Sequence, residues 1–442
     1  MARRLADLDV DRGPAVDLVI DGESVRAHGG DCIAEAAWCA GQQTLSRSLK
    51  YHRPRGAFCF EGHCSGCLMR VDGVPNVRTC LEPCRDGQVV TSQNALPSAQ
   101  LDALGVVDFI FGKKLDHHTL MTSVTPLNRV ANKVVRQLSG LGTLPDRAGM
   151  QPAVREVCPD VCVIGGGPAG LAAAIAAASA GADVVLVDDQ RTLGGSLRAL
   201  AGGNTRVARL AMQARELGVE LAPQATAIGY FAEEDVLAVA LGAEAWRIAA
   251  RNWIWASGGY AMNLPLIDND RPGVLAARAV ARLLHERGIL LADRAVVIWD
   301  ERPGAQAEAN ALAASLRVAG AMVTTVAAAS VARVIGSPAA TGVVLVDGDL
   351  IEAGLVAVAA TPAPASEGAR QHGCAVELSP SRGGYRVIVD GDGRTTVAGV
   401  WACGDVTGYM GPELALVHGA HVGAAVVATR RPQGLDPLRG QP

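Results

Sequence analysis

Gly165-Gly166-Gly167-Pro168-Ala169-Gly170 stands between an apolar run, Val161-Cys162-Val163-Ile164, and an alanine-rich segment that begins at Leu171. This is G-x-G-x-x-G in the setting that gives it meaning, after a strand and at the opening of a helix. Each glycine has a task. Gly165 permits the tight turn, Gly167 lets a pyrophosphate approach the backbone, and Gly170 permits close helix–strand packing. The helix N-terminus then faces the phosphates. A second strand, Val184-Val185-Leu186-Val187, ends in Asp188-Asp189, eighteen residues past Gly170. An acid there binds a ribose 2′-OH and repels a 2′-phosphate. Gly194 and Gly195 join these residues as cofactor-binding candidates. From Val161 onward strand and helix alternate, which predicts a parallel α/β sheet of Rossmann type.

Ahead of this region lies a cysteine loop, Cys59-Phe60-Glu61-Gly62-His63-Cys64-Ser65-Gly66-Cys67, followed by Cys80. The spacing is Cys-x4-Cys-x2-Cys-x12-Cys, and its leading part is the plant-type [2Fe-2S] ferredoxin spacing. Four thiolates hold two irons. The small residues Gly62, Ser65 and Gly66 let backbone N–H groups approach the sulfurs, which stabilises the charge added on reduction. A four-cysteine zinc site is the competing reading, but such sites pair two Cys-x2-Cys hooks and only one is present. Cys84 stands second to Cys80 as fourth ligand. Cys32 and Cys39 lie on a predicted helix, Asp31 to Ala40, with Asp31 as its N-cap. Before it, Asp17 to Val25 reads as a hairpin around Asp21-Gly22. Hairpin, helix and cysteine loop follow the order of a ferredoxin-like β-grasp.

Composition narrows the classes further. The chain has 442 residues, more than one ordinary domain requires, and a net charge of −4 without a basic block. Nucleic acid is therefore not an expected partner. Eleven cysteines without an apolar leader point to metal or redox chemistry rather than disulfides. The apolar stretch Leu171 to Val187 is broken by Ser179, Gly181 and Asp183, and reads as a buried helix and strand, not an integral membrane span. The expected location is cytoplasmic, at most peripheral to the inner face of the membrane. The basic run Lys50 to Arg55 has two even readings, a phosphate or subunit contact and a solvated loop. His117-His118 reads as an exposed loop pair.

Two later segments favour FAD over NAD. Trp253-Ile254-Trp255-Ala256-Ser257-Gly258-Gly259 and Val400-Trp401-Ala402-Cys403-Gly404-Asp405 are strands ending in small-residue turns. Both resemble segments of the glutathione-reductase-like flavoproteins, which implies Asp405 near the FAD ribityl or pyrophosphate, with Gly258 and Gly404 in the cofactor-binding set. Where those flavoproteins carry a second NAD(P)H-binding unit, Arg294 to Trp299 is followed by Asp300-Glu301-Arg302-Pro303-Gly304. No glycine motif stands there, and acids at a pyrophosphate position argue against NAD(P)H. No redox cysteine pair follows the first glycine motif.

One set of segments is more specific. Arg47 to Gly56, Pro75 to Thr79, Thr91 to Asn94, Leu141-Gly142 and Asp270 to Val274 together resemble the α subunit of heterotetrameric sarcosine oxidase. They also resemble the related subunits of opine oxidases, dye-linked proline dehydrogenases and hydrogen cyanide synthase. The resemblance runs to about residue 430. The sarcosine oxidase subunit has a much longer C-terminal region, and its β-grasp domain lacks the cluster cysteines. In hydrogen cyanide synthase a small separate subunit carries such a domain, so this chain looks like that domain fused to the flavoprotein subunit. The resemblance implies that a glycine-oxidase-like partner with its own FAD oxidises the substrate within a hetero-oligomer. It implies that an FMN can sit between subunits, and that this chain transfers electrons. The sequence carries no catalytic residue signature of its own. The expected organisation is a [2Fe-2S] domain over 1–100 and a helical connector over 101–155. An FAD-binding domain follows over 156–265 and 370–442, with an inserted, degenerate NAD(P)-like domain at 266–369. Two other readings stay open: a stand-alone NAD(P)H-dependent flavoprotein reductase, and a scaffold with NAD or ATP in the nucleotide site.

Overall fold

The computed structural model describes residues 2–5, 10, 12–48, 52–103, 151–302 and 304–429. By compactness the chain divides into two units. The first is Met1–Ala148 with Asn263–Asp300 and Ala309–Ala359, and the second is Gly149–Met262 with Glu301–Glu308 and Ala360–Pro442. The connector expected over 101–155 falls mostly outside the described residues, as do Lys50, His117-His118 and Leu141-Gly142.

In the first unit the N-terminal segment forms a five-stranded sheet. Its strands run in the order Glu23–His28, Ala15–Ile20, Val89–Thr91, Leu68–Val71, Val74–Arg78. The expected hairpin is present. Asp21 and Gly22 have φ of 49° and 85°, the positive pair that a two-residue hairpin turn demands. Alternate residues Val16, Leu18 and Ile20 are buried, giving the sheet one core face. Helix Ile33–Cys39 covers that core with Ile33, Ala36, Ala37 and Trp38. Its N-cap is Cys32, not Asp31. Glu35 accepts the Cys32 N–H at 2.8 Å, while the Asp31 carboxylate is taken up by Arg4, at 3.0 and 2.5 Å, and by the His28 N–H. Asp31 sits one residue too early, and its oxygens are already satisfied.

The same unit contains a four-stranded parallel sheet, ordered Val274–Ala276, Leu355–Ala359, Arg294–Trp299, Met322–Ala327. Strand Val274–Ala276 leads directly into helix Ala277–Arg287. This part docks on the N-terminal segment. Ala276 N–H donates to the Phe58 carbonyl at 3.0 Å, Trp38 Nε1 donates to the Leu291 carbonyl at 3.3 Å, and Arg55 pairs with Asp270 at 2.7 Å.

The second unit is built on a five-stranded parallel sheet, ordered Glu220–Pro223, Val184–Asp188, Val161–Ile164, Asn252–Trp255, Val400–Ala402. All four residues of Val161–Ile164 are buried, as a strand covered on both faces must be. On one face helices Pro168–Ser179 and Pro412–Ala428 pack through glycines. A Cβ on Gly419 or Gly423 would lie 2.0 or 2.2 Å from the carbonyls of Ala169 and Ala173. On the other face Trp253 and Trp255 pack with Leu237, Val239 and Trp246 of an adjoining sheet. Leu171 to Val187 is thus a buried helix and strand. Among the described residues no helix is long and apolar enough to cross a membrane.

Candidate functional site

The second unit gathers the glycine loop and its neighbours. Gly165 has φ 111°, and a Cβ there would meet the Ala256 carbonyl oxygen at 2.3 Å. A Cβ on Gly170 would meet the Gly165 oxygen at 1.8 Å. These two glycines serve the chain's own packing. Gly167 differs: its φ is −72°, open to any residue, and a Cβ built on it meets nothing within 4 Å. Its smallness answers no demand of the protein. It keeps clear the space at the N-terminus of helix Pro168–Ser179, where the free N–H groups favour an anion. That cradle fits a dinucleotide pyrophosphate.

The surrounding residues converge on it. Gly194 N–H donates to the Gly166 carbonyl at 2.7 Å. A Cβ on Gly195 would lie 3.0 Å from Gly167 Cα. Asp188, half-buried at the strand end, accepts the Gly166 N–H at 2.5 Å and the Gln190 N–H at 2.9 Å. Desolvation pushes its carboxyl up to about 6, with Asp189 adding to the rise and the two N–H groups opposing it. Asp189 is exposed and accepts from Gln190 Nε2. Gly258 has φ 72° with no atom within 4 Å of a built Cβ. A Cβ on Gly404, φ 76°, would press on Ala169 at 2.6 Å. Asp405 is buried, and its Oδ1 accepts the N–H groups of Met410 and Gly411 at 3.0 and 3.3 Å. It braces the turn that opens helix Pro412–Ala428. Three residues here escaped the sequence reading. His418 Nδ1 accepts the Gly404 N–H, and Arg382 and Arg386 donate to the carbonyls of Gly408 and Thr407. The arginines reach this turn from a hairpin earlier in the chain and His418 from the helix that the turn opens, and no local motif marks them.

In the first unit the four cysteines come together. Cys59 Sγ lies 3.4 Å from Cys64 Sγ. Cys80 bonds to both Cys59 and Cys67. Hydrogen bonds from Cys64 and Cys80 hold the Cys59 thiol well below its ordinary range, and one from Cys80 does the same for Cys67. Among the described residues no group of three or more His, Cys, Asp or Glu closes around one point as a single ion requires. Close sulfur contacts run from Cys64 to Cys59, from Cys59 to Cys80 and from Cys80 to Cys67. The pairs Cys59/Cys64 and Cys67/Cys80 fit two irons with two thiolates each. Backbone donors are in place: Glu61 N–H reaches Cys59 Sγ at 3.5 Å, and the Gly66 N–H bonds to Cys64. A Cβ on Gly66 would collide with the Gly56 oxygen at 2.2 Å. Cys84 lies elsewhere. Its N–H donates to the Asp31 carbonyl, and its thiol acts on Cys32.

The described segments that carry the family resemblance also meet. Arg55 pairs with Asp270, and a Cβ on Gly56 would press on Pro272. Gln93 and Asn76 exchange hydrogen bonds at 2.6 and 2.8 Å, and Asn94 Nδ2 donates to the Arg47 carbonyl. Arg55 of the basic run is therefore engaged within the chain. His52, from the same run, is bonded to Asp102 at 2.9 Å.

Comparison with known proteins agrees with this geometry. The 2Fe-2S iron-sulfur cluster binding domain family matches residues 13–95. The FAD dependent oxidoreductase family matches residues 160–219, and the pyridine nucleotide-disulphide oxidoreductase family matches residues 273–424. The chain is 32% identical over 308 residues to the sarcosine oxidase subunit alpha of Rhizobium meliloti (strain 1021), covering 63% of this chain and 31% of that one. It is 29% identical over 380 residues to the corresponding subunit of Corynebacterium sp. (strain P-1), covering 78% and 34%. The chain thus spans about a third of the length of these relatives. Among solved structures, the L-proline dehydrogenase from P. horikoshii shares the fold, with a TM-score of 0.72 and 19% identity over 94% of this chain and 74% of that one. The resemblance to sarcosine oxidase α subunits is borne out. The chain carries a [2Fe-2S] ferredoxin-like domain and an FAD-dependent oxidoreductase fold.

Proposed function

We propose that this chain is the electron-transfer subunit of a multi-subunit amine or imino-acid dehydrogenase or oxidase, acting on a sarcosine-, proline-, hydroxyproline- or opine-type substrate. Substrate oxidation takes place in a glycine-oxidase-like partner with its own FAD, and an FMN sits at the interface between the two. The observation that carries the reading is the pairing of the cysteine sulfurs, Cys59 with Cys64 and Cys67 with Cys80, in a chain that also carries the open glycine cradle. When bound, FAD accepts an electron pair and the cluster passes single electrons onward.

The protein's own share is binding and placement. Gly167 leaves room for the pyrophosphate, the amides at the start of helix Pro168–Ser179 face it, and Asp188 and Asp189 stand at the ribose end. Gly258, Gly404 and Asp405 frame the ribityl end. Cys59, Cys64, Cys67 and Cys80 hold the irons, and the Glu61 and Gly66 N–H groups stabilise the charge on the sulfurs.

One observation bears on a second reading, a stand-alone NAD(P)H-dependent reductase. The match at 273–424 is to a pyridine-nucleotide family, but strand Arg294–Trp299 runs into Asp300-Glu301-Arg302 without a glycine motif. Asp300 is buried, and its N–H is spent on the Ala359 carbonyl at 3.1 Å. A buried acid whose amide is already used offers a phosphate nothing. A nucleotide site holding NAD or ATP is the remaining alternative, and cofactor release decides it. The purified chain is expected to yield FAD on acid denaturation, with two irons and two acid-labile sulfides per chain. Zinc in place of iron overturns the cluster, and bleaching of the flavin by NADH overturns the subunit reading in favour of the reductase.

A further inference from the structure

We infer that Arg282, on a helix far from the cysteine loop in sequence, is a positioning residue that raises the reduction potential of the cluster. Helix Ala277–Arg287 begins where Ala276 N–H is tied to the Phe58 carbonyl, so its first turns lie against the cysteine loop. Arg282 is half-buried, with 11% of its side chain exposed. Its Nη1 donates to Glu61 Oε1 at 3.2 Å and to the Phe60 carbonyl at 3.5 Å. That carbonyl and the Glu61 N–H are the two ends of one peptide group, and the N–H end points at Cys59 Sγ. A cation drawing on the carbonyl polarises the peptide and strengthens the N–H···S bond. The orientation of this peptide is imposed: Phe60 has φ 51°, a left-handed conformation costly for a non-glycine residue. The guanidinium holds it from the carbonyl side.

The charges around Arg282 reinforce the effect. Glu286 lies 3.7 Å from its Nε, Arg287 lies 3.3 Å from Glu286, and Glu35 lies 3.4 Å from Arg287. The line Glu61, Arg282, Glu286, Arg287, Glu35 alternates in sign and ends beside a cluster cysteine. Arg282 is the charge that offsets Glu61 at that end. Reduction adds one negative charge to the sulfurs. A half-buried cation and a polarised N–H donor favour it, while the Glu61 carboxylate opposes it. Losing the guanidinium therefore acts twice in the same direction.

The inference rests on the reading of Cys59, Cys64, Cys67 and Cys80 as cluster ligands, and the test separates the two. Iron and sulfide are measured first on the full chain and on the variants Arg282→Met, Arg282→Lys and Glu61→Gln. Absence of iron from the unmodified chain overturns the cluster reading itself. On loaded proteins, a potentiometric titration followed by electron paramagnetic resonance gives the midpoint potential. Arg282→Met is expected to weaken the hold on the electron about tenfold, a fall of about 59 mV for a one-electron couple. Arg282→Lys should fall less, and Glu61→Gln should rise. The Glu61→Gln variant leaves the guanidinium in place and keeps the test decisive where Arg282→Met does not load. A loaded Arg282→Met, or failing that a loaded Glu61→Gln, with an unchanged potential overturns the assignment.

Discussion

At the scale of single residues, the three glycines of the G-x-G-x-x-G loop are separable by what a methyl group would strike. At Gly170 it strikes the Gly165 carbonyl at 1.8 Å, and at Gly167 it strikes nothing. Gly170→Ala should therefore cost stability through overpacking, of the order of 1–3 kcal/mol. Gly167→Leu should leave the melting temperature of the flavin-free protein nearly unchanged and still abolish flavin retention. Full retention of FAD by a Gly167→Leu chain would remove the pyrophosphate from this loop. Asp188 makes a pH-dependent claim. Its carboxyl sits at about 6 against an ordinary 3.8, so between those values the folded chain keeps a proton that the unfolded chain has released. The stability this confers is present below about pH 4 and is lost as pH rises toward 6. Asp188→Asn keeps an oxygen for the Gly166 N–H and loses the acceptor for the Gln190 N–H, and relative to the unmodified flavin-free protein it should gain stability as pH rises above 6. The gain is of the order of 1–2 kcal/mol after allowance for partial exposure, and it should vanish toward pH 4. Thermal melts of both proteins at pH 4.5 and 7.5 check this. An equal difference at the two values would contradict it.

At the scale of elements, the cysteine loop could be marked as a cluster candidate because its proposed ligands are local. Three of the four lie within nine residues, and loop geometry is set by nearby small residues. The fourth was a choice between Cys80 and Cys84, which spacing alone leaves open. The chain path decides where each goes: Cys80 joins Cys59 and Cys67, while Cys84 is drawn to the N-terminus of helix Ile33–Cys39. Cys80→Ser should accordingly lose most of the iron, and Cys84→Ser should keep it. The reverse pattern in metal analysis would exchange their roles. What could not be read shares one physical feature. Arg282, Arg382 and Arg386 act through side chains arriving from other elements, and His418 through a ring that turns back onto the loop before its own helix, and a single sequence records no such meetings. The misplaced cap is a smaller case. Asp31 has the right chemistry for a cap, but the long-range pair with Arg4 claims its carboxylate. The strand–helix alternation, by contrast, depends on local burial and turn chemistry, and it marked the parallel sheet correctly from Val161 onward.

At the scale of the whole molecule, two kinds of electron transfer fall to one chain. Amine oxidation delivers two electrons as a hydride to a flavin, whereas a [2Fe-2S] centre passes one at a time. A chain with both a flavin fold and four paired cysteines suits a dehydrogenase that feeds a one-electron acceptor better than an oxidase that uses O₂ directly. Purified alone, it should not oxidise sarcosine, proline or an opine with any dye. Assembled with the proposed partner subunit, the complex should reduce an artificial acceptor when the right substrate is added. Cys64 then separates entry from exit. Its sulfur is paired with Cys59 at the loop, while Gly165 packs on Ala256 and Gly170 on Gly165. Cys64→Ser in the complex should cut dye or quinone reduction by at least tenfold while substrate still bleaches the flavin at nearly the original rate. Stopped-flow absorbance resolves the two steps. Equal loss of both would mean that the cluster domain serves assembly and not electron exit, and turnover of an amine by the isolated chain would place the substrate site here instead of in a partner.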